Sequence, residues 1–151
     1  MSFPGEAQPV LRTLADCGYR SIEDAFPSLD ANQLGIHPLS NYLLVQMRLP
    51  KKTTAGGIIL TSETQDFDQY QTMIGRVLEL GPIAFRDRSS LKRWDGFEWA
   101  EAGAFVYVPR YTNNSRLIQF EDQTMELRFV KDLDVIARLD SQAVRTLRAY
   151  I

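Results

Sequence analysis

The fold class is decided by Tyr42-Leu43-Leu44-Val45-Gln46-Met47 and by Gly75-Arg76-Val77-Leu78-Glu79-Leu80-Gly81. The first stretch is short, mostly apolar and rich in residues that favour strands. The second alternates between apolar and polar side chains and lies between two glycines, which is typical of a strand bounded by turns. Both stretches therefore predict β-strands.

Further strand patterns lie towards the C-terminus. One is Ala104-Phe105-Val106-Tyr107-Val108, between Gly103 and Pro109. A turn-like segment, Glu121-Asp122-Gln123-Thr124, separates Leu117-Ile118-Gln119-Phe120 from Met125-Glu126-Leu127-Arg128-Phe129-Val130. Short strands separated by Gly, Pro and Asn turns predict an all-β domain of the barrel or sandwich type.

The strand patterns fill residues 38–139, and helical patterns flank them. Residues 1–37 predict an N-terminal helical arm, too small to hold a core of its own. Residues 140–151 predict a short C-terminal helix that Asp140 or Ser141 can cap. We expect both flanking segments to pack on the β domain or on a neighbouring molecule.

Two helices are predicted within the arm. Pro9 could occupy the first turn of one, and Gly18 could end it in a left-handed conformation. Ser21 and Asp24 form a pair like a capping box at the start of the second, and Pro27 stops that helix early.

The bulk properties are those of an ordinary globular domain. The chain has 151 residues, 44% hydrophobic and 24% charged, with a net charge of −2 that gives no general attraction to nucleic acid or anionic membrane. Its one cysteine cannot form an internal disulfide. No apolar run could span a membrane, and no signal-peptide pattern begins the chain. A cytoplasmic or particle-associated protein is expected.

A glycine pair followed by apolar residues, Ala55-Gly56-Gly57-Ile58-Ile59-Leu60, lies between the first two predicted strands. From spacing alone it is a tight turn before a buried strand, because glycine permits the positive φ angles of sharp turns. The order of this segment and the other motifs along the chain resembles the order of motifs in GroES-type co-chaperonins. The other motifs are Pro38-Leu39-Ser40-Asn41 before the first strand, Gly75-Arg76-Val77, Ala102-Gly103-Ala104 and Asp132-Leu133-Asp134-Val135-Ile136-Ala137.

The resemblance covers residues 38–139 and implies a GroES-like irregular β-barrel that self-associates into a ring. It further implies that the glycine pair and tripeptide are a mobile loop that docks on a large chaperonin, of the host or of a phage, and caps its folding chamber. The implied chaperonin-binding residues are Gly56, Gly57, Ile58, Ile59 and Leu60.

Departures from the family pattern predict a divergent, phage-encoded member acting in the host cytoplasm. Ala104 replaces the family's aspartate, and residues 61–74 are longer than in the bacterial protein. The enlarged loops and the two flanking segments leave an alternative open. On that alternative the barrel is a virion structural protein, such as a capsid decoration or neck component, whose partner is a capsid protein.

A second long loop, residues 82–102, interleaves aromatic and basic side chains. In the family this region forms the roof of the ring, so Trp94, Phe97 and Trp99 are candidate roof or subunit-contact residues. Simple packing of the tryptophans against the barrel is the other main interpretation. Stacking on single-stranded nucleic acid would suit the neighbouring arginines, but nucleic acid is not expected as a partner.

No pattern predicts catalysis. His37 is the only histidine and Cys17 the only cysteine, which gives neither a zinc site nor a nucleophile–base pair. The Gly56-Gly57 pair is not followed by the Gly-Lys-Ser/Thr of a phosphate loop. We therefore expect a protein without enzymatic activity, metal or cofactor.

Overall fold

The computed structural model describes residues 13–49, 73–96, 98–110, 114–121 and 123–147. These contain one six-stranded antiparallel sheet in the order β4-β5-β1-β2-β3-β6. The strands are β1 (Tyr42–Met47), β2 (Ile74–Leu80), β3 (Phe105–Tyr107), β4 (Ser115–Phe120), β5 (Gln123–Lys131) and β6 (Ala137–Leu139). The helices are α1 (Ile22–Ala25), α2 (Ala31–Leu34) and α3 (Ser141–Thr146), with a 3₁₀ turn at Asp132–Asp134.

The predicted strands are confirmed, and the all-β class with them. The bounds of β1 agree with the prediction at both ends, because its apolar run is buried on both faces at the centre of the sheet. The turn between β4 and β5 is tighter than predicted. Phe120 pairs with Gln123, so only two residues connect the strands, and Glu121 has a φ of 56°.

A β-bulge in β2 shifts the pairing of this strand with β1 by one residue. Leu44 pairs with Glu79 while Val45 pairs with Val77, which leaves Leu78 as the extra residue. Beyond the bulge, Gly75 pairs with Met47. Glycine is required there because a Cβ atom would overlap the Val45 side chain.

One side of the sheet, the first face, carries the apolar residues that alternate along β1. Leu43, Val45 and Met47 form a core with Val77 and with Val106. This core is covered by the connection between β2 and β3, which contributes Ala84, Phe85 and Ala100. A polypeptide connection, rather than another strand, therefore closes the first face.

The opposite side, the second face, is covered by the two ends of the described chain. Leu14 and Ile22 pack with Val144 of α3 and Ile74 of β2 in one buried cluster. A second cluster places Ala31 of α2 against residues of β1 and β5. The flanking segments thus pack on the sheet of their own subunit, one of the two arrangements expected for them.

The helix caps of the flanking segments agree with the sequence patterns. Ser21 Oγ accepts a hydrogen bond from the Asp24 N–H at 3.3 Å, and α1 ends at Ala25, before Pro27. Asp140 caps α3 by accepting from the Ala143 N–H at 2.8 Å. Within the described ranges the longest helix has six residues, and none could cross a membrane.

The prediction of a closed barrel is not confirmed. In the described part of the chain, β4 and β6 are the two edges of the sheet and no strand pairing joins them. The physical reason is that other segments already cover both faces, so the sheet has no need to curl upon itself to bury its apolar side chains. The architecture is an open antiparallel sheet between two covering layers.

Candidate functional site

The five predicted chaperonin-binding residues, Gly56 to Leu60, lie outside the described residues. The structure does define both ends of the β1–β2 connection (residues 48–73) that contains them. The two strands are antiparallel neighbours, with Gln46 opposite Arg76 and Met47 opposite Gly75. The connection therefore leaves and re-enters the sheet at adjacent positions.

The first end of this connection is fixed to the N-terminal segment. The Leu49 N–H donates to the Ala25 carbonyl at 2.8 Å, and the Tyr19 hydroxyl donates to the Leu49 carbonyl. The buried Arg48 guanidinium donates to the same hydroxyl and lies over the Tyr19 ring, 5.6 Å from its centroid. The sequence interpretation missed this contact because Tyr19 and Arg48 are far apart in the chain.

The second end is fixed to β3. The Met73 carbonyl accepts from the Val108 N–H at 2.8 Å, next to the pairing of Ile74 with Tyr107. Ile74 itself is buried in the second-face cluster. Both ends of the β1–β2 connection are thus held by hydrogen bonds to residues remote in sequence.

The second candidate region is the aromatic connection (residues 81–104) between β2 and β3. Its centre folds back on itself as a hairpin. The Trp94 N–H donates to the Phe85 carbonyl at 3.0 Å, and the Asp87 N–H donates to the Lys92 carbonyl at 2.8 Å. The tip is closed by the Asp87 carboxylate, which accepts from the N–H groups of Ser89 and Ser90.

Three aromatic rings meet at the base of this hairpin. Phe85 stacks on Trp99 with centroids 5.4 Å apart, and Trp94 meets Trp99 edge-on at the same separation. The Trp99 indole N–H donates to the Trp94 carbonyl at 3.0 Å. Both tryptophans are half-buried and pack on the core of the first face. Phe97 lies outside the described residues, and Phe85 was missed because it precedes the basic stretch.

The basic side chains of the aromatic connection are largely engaged within the subunit. Arg88 donates to Asp132 at 2.8 Å, and its guanidinium lies 5.5 Å from the centroid of the Trp94 ring. Arg93 forms an ion pair with Glu101, and Arg86 donates to the Leu91 carbonyl. Subunit contact and nucleic-acid binding therefore stay predictions for this surface, and the observed contacts are those of packing.

Asp132 joins the aromatic connection to the rest of the domain. Its buried carboxylate accepts from the Phe85 N–H at 2.9 Å, from Arg88 at 2.8 Å and from the Asn41 amide at 3.1 Å. Burial alone would raise the pKa of Asp132, but these hydrogen bonds and the Arg88 charge outweigh it and lower the pKa. The group is an anionic anchor that positions the aromatic connection.

The residues considered for catalysis are dispersed. His37 lies on the surface, with Nδ1 2.8 Å from the Glu79 carboxylate, and Cys17 belongs to the margin of the second-face cluster. Among the residues that the structure describes, no group of His, Cys, Asp or Glu side chains is placed to hold a metal ion.

Comparison with known proteins gives no family for this chain. No model of a protein family matches it, and no curated protein matches it. The β1–β2 connection and the aromatic connection are therefore the candidate functional regions of this protein.

Proposed function

We propose that this protein is a co-chaperonin-like subunit that docks on a large chaperonin through Ile58, Ile59 and Leu60 and caps its folding chamber. The observation that carries the proposal is the placement of the β1–β2 connection. It leaves β1 after Met47 and enters β2 at Ile74, next to Gly75, the residue that pairs with Met47. A long connection with two fixed ends, whose sequence contains a glycine pair and an apolar tripeptide, is what we expect of a docking loop.

The energetics of such a loop suit a removable lid. Burial of three large aliphatic side chains contributes about 5 kcal/mol before costs. Ordering the chain around them costs about 1–2 kcal/mol per residue, so one loop binds weakly. Several loops on one ring would bind tightly by avidity and still release together. The protein would act by binding alone, favouring one conformational state of the chaperonin.

Self-association into a ring is part of the proposal, and the sheet edges support it. An exposed apolar side chain lies at or next to each edge, namely Leu117 in β4 and Ile136 just before β6. Edge strands offer backbone hydrogen-bonding groups to a further strand. Pairing of edges between neighbouring subunits would complete a GroES-like assembly that the single open sheet does not form alone.

The test is co-elution with a purified chaperonin in the presence of nucleotide. Ile59→Asp should abolish co-elution, because a carboxylate cannot enter an apolar groove without a large desolvation cost. Ser62→Asp, which adds the same charge beside the tripeptide, is the matched control and should still co-elute. Light scattering should show the same oligomer for both variants. Undiminished co-elution of Ile59→Asp would refute the proposal.

The virion alternative is tested separately. From residue 13 onwards the N-terminal segment packs on its own sheet, so those residues are engaged within the subunit. A lid for a chaperonin is expected in cell lysate and not in purified particles. High copy number in purified particles, without chaperonin co-elution, would favour the structural role.

A further inference from the structure

A groove of about 400 Å³ opens on the second face, beside the N-terminal segment. Its walls come from α1, from the segment after α1, from β2 and β3, and from α3. The polar side chains include Arg76, Arg145, Glu23 and Ser28, and the apolar ones include Leu78 and Phe105. This volume falls within the range of small-ligand sites.

Arg76 is the deepest charge in the groove. It is half-buried on β2, and its Nη2 donates to the Pro27 carbonyl and to Gln46 Oε1, each at 2.7 Å. Both acceptors are neutral, and no carboxylate among the described residues lies within ion-pair distance. Burial lowers the pKa of Arg76, while the charge of Glu23 acts in the opposite direction. Glu23, whose charge acts on Arg76, is exposed and forms no ion pair with it, so the half-buried cation still favours an anion beside it.

Arg145 supplies a second positive charge to the same groove. It lies in the last turn of α3, is exposed, and forms no ion pair within the described part of the chain. Glu23 is the only carboxylate among the described lining residues, so two cations face one anion and the groove carries net positive charge.

We propose that this groove binds a small organic anion, with its carboxylate or phosphate between Arg76 and Arg145 and its apolar body against Leu78 and Phe105. Arg145 can offer a planar pair of N–H donors to two oxygens of either oxyanion. Arg76 offers its Nη1 group, because its Nε and Nη2 already donate to Gln46 and Pro27. Ser28 adds a hydroxyl that can donate to the same group. The site is independent of the docking loop, so it stands whether or not the protein binds a chaperonin.

The experiment is a titration of the full-length protein followed by amide chemical shifts. The probes are benzoate, phenyl phosphate, inorganic phosphate and benzyl alcohol as the neutral analogue. Benzoate or phenyl phosphate should shift the amides of Leu78 and Phe105, and the alcohol should not. Benzoate and phenyl phosphate separate the two oxyanions, and inorganic phosphate shows whether the apolar body contributes.

Two substitutions on exposed helical positions give opposite expectations. Arg145→Gln removes a charged donor and should weaken binding about tenfold. Glu23→Gln removes the competing anion and should strengthen it about two- to fivefold. Arg138→Gln, a surface arginine away from the groove, is the control and should leave binding unchanged. The proposal is overturned if no probe shifts the groove amides, if benzyl alcohol binds as well as the anions, or if Arg145→Gln has no effect.

Discussion

Substitution of Asp132 by alanine should detach the aromatic connection from the sheet and lower the free energy of unfolding substantially. The carboxylate accepts from the Phe85 N–H and the Leu133 N–H in the main chain, and from the Asn41 and Arg88 side chains. Alanine leaves all four donors without this acceptor. Because the Phe85 N–H is buried, water cannot replace the lost oxygen there.

The size of the loss follows from these donors. An unsatisfied buried N–H group costs about 1–3 kcal/mol. The Arg88 side chain is 41% exposed and regains hydration, so its lost ion pair contributes at most about 1 kcal/mol. Adding the side-chain hydrogen bond from Asn41, we expect Asp132→Ala to lose about 3 kcal/mol of stability at pH 7.

The loss should also depend on pH. The folded-state pKa of Asp132 lies below its ordinary value of 3.8, so the carboxylate contributes its full stability above that value. The contribution then declines as the pH falls through the lower, folded-state pKa. The difference between wild type and Asp132→Ala should therefore be constant from pH 8 to about pH 5 and shrink below about pH 4.

Urea unfolding followed by tryptophan fluorescence measures this directly, because the chain's two tryptophans both lie in the aromatic connection. Asp134→Ala is the control: that carboxylate is exposed in the same 3₁₀ turn, and its loss should change stability by less than about 0.5 kcal/mol. A loss below about 1 kcal/mol for Asp132→Ala at pH 7, or a difference unchanged down to pH 3, would refute the reasoning.

Two further substitutions test the packing. Gly75→Ala places a methyl group against Val45 and 2.9 Å from the Met47 sulfur. It should lower the free energy of unfolding in urea by about 1–3 kcal/mol. A neutral effect would contradict the close approach of β1 and β2. Trp99→Phe keeps an aromatic ring but removes the donor to the Trp94 carbonyl. It should lower the free energy of unfolding by about 1 kcal/mol and weaken the near-ultraviolet circular dichroism. Unchanged stability would show that this hydrogen bond contributes nothing.

The strands could be predicted from the sequence because each is a local pattern. The apolar run of β1 and the glycine-bounded alternation of β2 contain their own evidence, and the structure confirms both. The caps of α1 and α3 are equally local, since Ser21 and Asp140 act on residues three positions away. Patterns confined to a few neighbouring residues carry this kind of information well.

The links between elements could not be predicted in the same way. Apart from the adjacent Leu133 N–H, Asp132 binds groups 44 to 91 residues away, and no local sequence pattern distinguishes it from Asp134. The contact of Tyr19 with Arg48 is likewise invisible locally. The predicted barrel closure failed for a related reason: alternation shows that a face is buried but does not show what covers it.

The cluster that joins Leu14 to Val144 has a consequence for how the chain folds. Its members include residues from opposite ends of the described chain, so this layer cannot be completed before α3 has been synthesised. Such distant contacts carry a high loop-closure entropy and slow the folding of a domain. The central strands can pair earlier, and the N-terminal segment can cover part of Ile74, but the cover of the second face stays incomplete until α3 has been synthesised. During that interval the second face is the surface on which a misfolded or aggregated form would begin.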